Sequence, residues 1–345
     1  MTSRNFRFRS DQRGRRRGNP EPFLLRPVGK DYLWGGRRLN DEFAKGIDLE
    51  PLAETWECST HPDGPSVVAS GEYQGALLPN VLRVHPEYLG SRARAAGELP
   101  ILVKLIDARL DLSVQVHPDD QYAAIHENGQ RGKTELWYVL DAAPGARLIY
   151  GLYNETSPEA LRAGIVDGSL EKYLQKVEIK KGDIFYIPAG MIHAIGAGAL
   201  IAEIQESSNL TYRLYDYNRV DRNGKKRALD IEKALVVANL QGTPLPTQPM
   251  RVLQYRQGCA SELLCRCPYF DVRRLLVNTE RCRQLVRGSI EEMTFHVLLC
   301  IGGCGVLQTA ANSSLQFFKG DCIFFPANAK PSFLHGMAEF LDIRG

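Results

Sequence analysis

Two stretches of this 345-residue chain repeat one another: Gly182-Asp183-Ile184-Phe185-Tyr186-Ile187-Pro188-Ala189 and Gly320-Asp321-Cys322-Ile323-Phe324-Phe325-Pro326-Ala327. Each is a glycine turn, four apolar residues and a proline, the pattern of a short buried strand closed at both ends. An internal repeat of this kind means one architecture built twice. The first copy runs on through Gly190-Met191-Ile192-His193, whereas the second has Asn328 in place of Gly190 and Pro331 in place of His193. The second copy keeps the turn and loses the imidazole. It therefore reads as structural, and the chemistry falls to the first.

The surrounding sequence fits this scheme. Pro22–Pro27, Glu54–Ser59, Pro100–Ala108, Leu112–His117, Glu135–Leu140, Ala146–Leu152 and Leu200–Gln205 are short runs rich in β-branched or aromatic residues. With Gly182, Gly190, Gly196 and Gly198 between neighbours, they have the spacing of an all-β barrel or sandwich. Helices are expected as insertions: near Asn80–Leu89, at Asp119-Asp120, after the cap Ser157-Pro158, and from Asp230 to Ala238. The expected fold is mainly β with inserted helices, in two jelly-roll β-barrels, the second degenerate and metal-free. The expected organisation is a tail over 1–20, a catalytic unit over 21–240, a Pro/Thr/Gln-rich linker over 241–250 and a C-terminal unit over 251–345.

Composition narrows the function. No apolar run approaches the ~20 residues of a membrane span. The net charge of +3 is largely local, because Arg4, Arg7, Arg9, Arg13, Arg15, Arg16 and Arg17 crowd the N-terminus. That segment has no apolar stretch of the secretory kind, and it reads as a disordered basic tail. No aromatic stacking platform accompanies it, so nucleic acid is not the expected partner. The eight cysteines, Cys58, Cys259, Cys265, Cys267, Cys282, Cys300, Cys304 and Cys322, show no C-x-x-C spacing. They are expected to be free thiols in a reducing cytoplasm, acting as small buried hydrophobes.

Gln115 and His117 are two residues apart, so on a strand they share a face. Glu135 and His193 follow in later strands. Two imidazoles, a carboxylate and an amide oxygen can converge on one metal ion, a donor set that suits zinc. Two histidines and a carboxylate also make the facial triad of iron oxygenases, and the ligand types alone leave both metals open. Lys104, in an otherwise apolar strand, either snorkels to an edge or faces a polar cavity.

Taken together, Gln115-Val116-His117-Pro118, Gly132-Lys133-Thr134-Glu135, Pro188-Ala189-Gly190-Met191-Ile192-His193 and Tyr212-Arg213-Leu214-Tyr215-Asp216 resemble the class I mannose-6-phosphate isomerases, in their short bacterial form. Leu33-Trp34-Gly35-Gly36, Trp56-Glu57 and Leu102–Asp107 carry the same likeness, which runs from about residue 21 to the end. The resemblance implies cupin barrels and one zinc ion per chain, held by Gln115, His117, Glu135 and His193. It implies a catalytic Arg213, an acid at Glu203 ten residues earlier, and an active-site Lys133. Ser113 and Lys104 would line the substrate pocket. Ile195 departs from the tyrosine often found there in larger members, and the Arg-rich tail has no counterpart.

The activity expected from this likeness is interconversion of mannose 6-phosphate and fructose 6-phosphate through a cis-enediol. Glu203 is the preferred base, and a second reading makes it a partner orienting His193. Arg213 could likewise pair with Asp216. Two rival functions follow from the same residues: a non-catalytic sugar-phosphate-binding cupin and an iron-dependent cupin oxygenase. Oligomeric state is not legible.

Overall fold

The structure is a computed structural model that describes residues 20–94, 97–220, 224–280, 293–310 and 313–345, with the backbone of 286–288. The Arg-rich tail and Cys282 lie outside the described residues. The fold is mainly β, as expected. Among the described residues the strands form a six-stranded, a five-stranded and a ten-stranded sheet.

The six-stranded sheet is central. Its order is Ile184–Ile187, Glu135–Ala142, Ala199–Glu206, Ile101–Ala108, Glu54–Cys58 and Val28–Lys30, all antiparallel. Alternation along each strand sends residues to opposite faces. Leu200, Ala202 and Ile204, with Val103, Leu105, Leu136 and Tyr138, pack toward the ten-stranded sheet. Ile201, Ile106, Val139 and Phe185 pack with Leu148 and Ile195 of the five-stranded sheet. Both faces are buried, which explains why these strands read as continuous apolar runs rather than alternating ones. The five-stranded sheet runs Tyr212–Tyr215, Val114–Val116, His193–Ile195, Arg147–Leu152 and Leu174–Glu178. Its outer face is covered by the helices Pro158–Asp167 and Ile231–Val237.

The repeat seen in the sequence extends through whole sheets. Part of the ten-stranded sheet runs Cys322–Phe325, His296–Gln308, Ser332–Arg344, Asp271–Asn278, Cys259–Arg266 and Gln254–Arg256. This is the strand order of the six-stranded sheet, in the same chain order and again all antiparallel. Corresponding register breaks recur at Trp56/Cys58 and Leu263/Cys265, and at Leu200/Ile201 and Cys300/Gly302.

Two expectations need correcting. The sheets do not close into barrels. They stay open and stack through apolar side chains, which buries a core without a continuous hydrogen-bonded ring. The early strand Phe23–Arg26 pairs with Cys322–Phe325, and Val67–Val68 pairs with it in turn. The N-terminal stretch thus supplies strands to the C-terminal sheet. A fully buried ion pair, Lys45 Nζ to Glu57 Oε1 at 2.7 Å, also lies at this junction, and Lys45 donates to the carbonyl of Gly320.

The helices lie close to their expected places. Asp119 caps Asp120–His126 and Ser157 caps Pro158–Asp167 through side-chain oxygens. Asp230 precedes Ile231–Val237 but makes no side-chain cap bond. Its carboxylate accepts instead from the Arg213 amide at 3.2 Å. The seven described cysteines are free: Cys58, Cys300 and Cys322 are buried as expected, but Cys304 is exposed. Among the described residues no helix is long and apolar enough to cross a membrane.

Candidate active site

On the strand Val114–Val116 the valines pack into the helix-covered core, leaving Gln115 to face inward. His193 is its register partner on one side and Arg213 on the other. Three functional side chains therefore stand at one height on three adjacent strands. His117 lies one residue beyond the strand end, and its carbonyl accepts from the Gly190 amide at 2.8 Å. The turn after Pro188 is thereby tied to His117. Gly190 has φ of +84°, and Asn328 in the second copy has +63°. Asparagine is one of the few side-chain-bearing residues that accept this region, so the turn survives the substitution.

From the facing sheet, Glu135, Trp137, Glu203, Gln205 and Lys104 point into the same space. Glu135 is paired in register with Gln205, and Glu203 with both Trp137 and Lys104. They continue the face that carries Ile201, Val139 and Ile106. The interior between the sheets is apolar at one end and polar at the other, and the site is the polar end.

His117, Glu135 and His193 offer ligand atoms that all lie within 4.8 Å of one another. His117 Nε2 is 3.2 Å from Glu135 Oε1, and His193 Nε2 is 3.7 Å from Glu135 Oε2. Lys133 Nζ lies 2.5 Å from Glu135 Oε1. All four side chains are buried. Burial, and then the Lys133 charge, push the His117 imidazole down to about 3, and burial lowers His193 as well. Both rings are therefore neutral, with lone pairs to offer. Burial alone would raise Glu135, but the Lys133 charge beside it pulls it well below the ordinary carboxylate range. His193 Nδ1 donates to the Met191 carbonyl at 2.8 Å, which fixes the tautomer with Nε2 free. Gln115 completes the set: its Nε2 lies 3.4 Å from His193 Nε2, and turning the amide brings the carbonyl oxygen to that point. The donors present fit a divalent cation.

A second polar group adjoins the first. Lys104 Nζ is 2.9 Å from Glu203 Oε1, and Trp137 Nε1 donates to Glu203 Oε2 at 2.9 Å. Lys104 thus faces the polar cavity rather than snorkelling to an edge. Burial and repulsion from Glu135 raise the Glu203 pKa, against the pull of Lys104. Arg213 Nε donates to Ser113 Oγ at 3.1 Å, and its Nη1 donates to the Ala228 carbonyl at 3.2 Å. Asp216 is occupied by Arg219 and Arg227, so it is not the partner of Arg213. Glu203 does not hold His193, whose Nδ1 goes to the main chain.

The structure therefore brings together all nine residues singled out from sequence. It also adds Trp137 and Glu54. Glu54 accepts from Trp56 Nε1 at 2.8 Å and lies 3.8 Å from Lys104. Trp137 could have been found from its place two residues beyond Glu135, which puts both on one face. Nothing local in sequence marks Glu54.

Two facing β-sheets around a buried His–Glu–His cluster, with an acid and an arginine alongside, define a mainly β protein with a candidate metal centre. The profile of the phosphomannose isomerase type I catalytic domain matches residues 23–137. Mannose-6-phosphate isomerase ManA of Bacillus subtilis is 37% identical over 322 residues, covering 92% of this chain and 97% of that protein. The mannose-6-phosphate isomerase of Streptococcus mutans is 43% identical over 252 residues, 73% of this chain and 78% of its own. The crystal structure of a Bacillus subtilis mannose 6-phosphate isomerase superposes with a TM-score of 0.85 at 33% identity, covering 94% of this chain and 100% of that one. The chain belongs to the type I phosphomannose isomerase family.

Proposed function

We propose that this protein interconverts mannose 6-phosphate and fructose 6-phosphate, using one zinc ion held by Gln115, His117, Glu135 and His193. The observation that carries the reading is the buried His–Glu–His cluster, with Arg213 beside Gln115 in register and Glu203 on the same sheet face as Glu135. The reaction moves a proton from C2 of the aldose to C1 of the ketose and a hydroxyl proton from O2 to O1, through a cis-enediol. The difficulty is the weak acidity of a carbon beside a carbonyl. Zinc, when bound, supplies Lewis-acid polarisation of the sugar oxygens.

The chain supplies the rest. Glu203 takes the proton from C2 and returns it at C1; its raised pKa makes it a stronger base than an ordinary carboxylate. Lys104 and Trp137 hold its two oxygens and so fix the direction of approach. Arg213, braced by Ser113 and Ala228, places a permanent cation where charge develops on the enediol oxygens. Lys133 and Lys104 are the candidates for donating to the phosphate or for shuttling the hydroxyl proton from O2 to O1, an ammonium giving its proton to O1 and the resulting amine taking the one from O2. The test is fructose 6-phosphate formation measured with and without a chelator, with metal analysis of the same preparation. Chelator-sensitive turnover with about one zinc per chain is expected. Iron with oxygen consumption would instead select the oxygenase, and ligand-induced thermal stabilisation without turnover would select the binding protein.

A further inference from the structure

The matched sheets allow a comparison residue by residue. Ile187 pairs with Glu135, and its repeat counterpart Phe325 pairs with His296. Glu203 pairs with Trp137 and Lys104, and Asp342 pairs with Leu298 and Arg273. Gln205 pairs with Glu135 and Leu102, and Arg344 pairs with His296 and Asp271. His296, Asp342, Arg273, Arg344 and Asp271 thus stand where the first copy has Glu135, Glu203, Lys104, Gln205 and Leu102. They continue the apolar face of Leu298, Ile323 and Phe340, as the first set continues its own. The C-terminal sheet keeps a polar interior at the same place.

Its chemistry has been inverted. The first set holds two carboxylates and one ammonium. The second holds two carboxylates, two guanidiniums and an imidazole, and Arg266 adds a third guanidinium by gripping Asp271 at 2.6 Å. The metal-binding carboxylate has become a histidine, and the neutral amide has become an arginine. His296 Nδ1 meets Asp342 Oδ1 at 3.0 Å, and Arg344 Nη2 meets Asp342 Oδ2 at 3.2 Å. His296 is only 5% exposed, and its Nε2 has no hydrogen-bond partner. Arg273 Nε approaches Asp271 at 3.5 Å, too far for a good hydrogen bond, and it too is unpartnered. The Arg273 and Arg344 side chains are 28% and 21% exposed, so the interior opens to solvent on the guanidinium side.

We propose that this second interior binds a phosphate-class oxyanion, with Arg273 and Arg344 as its donors and the Nε2 of His296 as the neighbouring imidazole nitrogen that senses it. Guanidiniums supply the forked donors that a tetrahedral oxyanion takes up. With Nδ1 given to Asp342, the Nε2 of His296 is left with a lone pair that can accept from a hydroxyl of the oxyanion. Such a site carries no metal and no isomerase chemistry, and it leaves the catalytic residues untouched.

The experiment follows the His296 imidazole nitrogens by NMR in the zinc-loaded full-length protein. His296→Gln assigns the signal, and Arg213→Ala separates it from phosphate binding in the first copy. Inorganic phosphate is titrated to ~10 mM, well above a sub-millimolar Kd. Glucitol 6-phosphate, which lacks a carbonyl and cannot turn over, is titrated in parallel. A saturable His296 shift that persists in Arg213→Ala and is lost in Arg273→Gln supports the site. A response to inorganic phosphate alone assigns the free ion, and a response to both assigns the phosphoryl group. No saturable shift in the wild type, or one unchanged in Arg273→Gln, overturns the proposal. Retained isomerase turnover in Arg273→Gln shows that the variant is folded, and the wild-type titration decides the matter even if it is not.

Discussion

The two matched sheets share strand order, chain order, antiparallel sense and register breaks, yet one interior gathers a His–Glu–His cluster and the other gathers arginines. Both bury apolar side chains at one end and polar ones at the other. The framework therefore sets where side chains meet, not what they do. Five cross-strand positions carry the difference: 135, 203, 104, 205 and 102 in the first copy, against 296, 342, 273, 344 and 271 in the second. The adjoining turn completes it. With Asn328 in place of Gly190 its backbone is preserved, but with Pro331 in place of His193 it delivers no imidazole.

The sharpest way to break the comparison is to import the second copy's residues into the first. Glu135→His removes the carboxylate at the centre of the cluster and places a third imidazole beside Lys133. Turnover should fall to background, and retained turnover would mean that the Glu135 carboxylate is not needed. Because an imidazole can itself ligate zinc, Glu135→Ala tests the ligand role, with metal content expected well below one per chain and retained metal counting against it. Arg213→Ala should lower kcat by about 10²–10³-fold, the cost of losing one preorganised charge at the reacting oxygens. Bound metal should stay near one per chain, and joint loss of metal would reassign Arg213 to a structural role.

The junction between the halves should matter to stability rather than to chemistry. Lys45→Met leaves the buried Glu57 carboxylate without its cation, which typically costs about 3–5 kcal/mol. Denaturant unfolding measures it, and a loss under about 1 kcal/mol would mean that Glu57 is taken up protonated.

Glu206 gives a smaller, pH-dependent effect. Burial, with Asp120 nearby, raises its carboxyl from the ordinary 4.5 to about 7, although Oε1 accepts from the Thr134 amide. The native state holds this proton more tightly than the unfolded chain does. Its contribution to stability is therefore full below pH 4.5 and is lost as pH rises through about 7. Glu206→Gln should flatten the fall in stability between pH 5 and 8 by on the order of 1–2 kcal/mol, read by thermal unfolding across that range. An unchanged slope would place the titration elsewhere. The smallest effect belongs to the second interior: Arg273→Gln should leave kcat within about twofold, as distant, uncoupled positions do. A larger loss would mean that the two interiors are coupled.

Much of this was legible in the sequence. The repeat announced a doubled architecture, and two-residue spacing put Gln115 and His117 together. Lys104 in an apolar strand left two readings, an edge or a polar interior, and its ion pair with Glu203 selected the second. Closed barrels were expected and open stacked sheets were found, since short strands with glycine turns are equally the signature of both. The cap expected of Asp230 went instead to the Arg213 amide, a contact between segments that no local rule describes. Trp137 was visible as a strand residue but not as the donor to Glu203.

Local sequence was enough to say which residues face the same way along each strand, where turns fall, and which copy could hold a metal. These follow from a period of two, from backbone sterics and from the donor atoms of side chains, all of which are local. Which strand lies beside which, and at what register, emerged only from long-range packing. That choice set Glu203 against Lys104 and Trp137, drew Phe23–Arg26 into the C-terminal sheet, and aligned His296 with Glu135. Register between distant segments is fixed by how two sheet faces pack their cores, because a slip of one residue would turn every side chain to the opposite face. That energy belongs to the assembled interior and to no single stretch of chain.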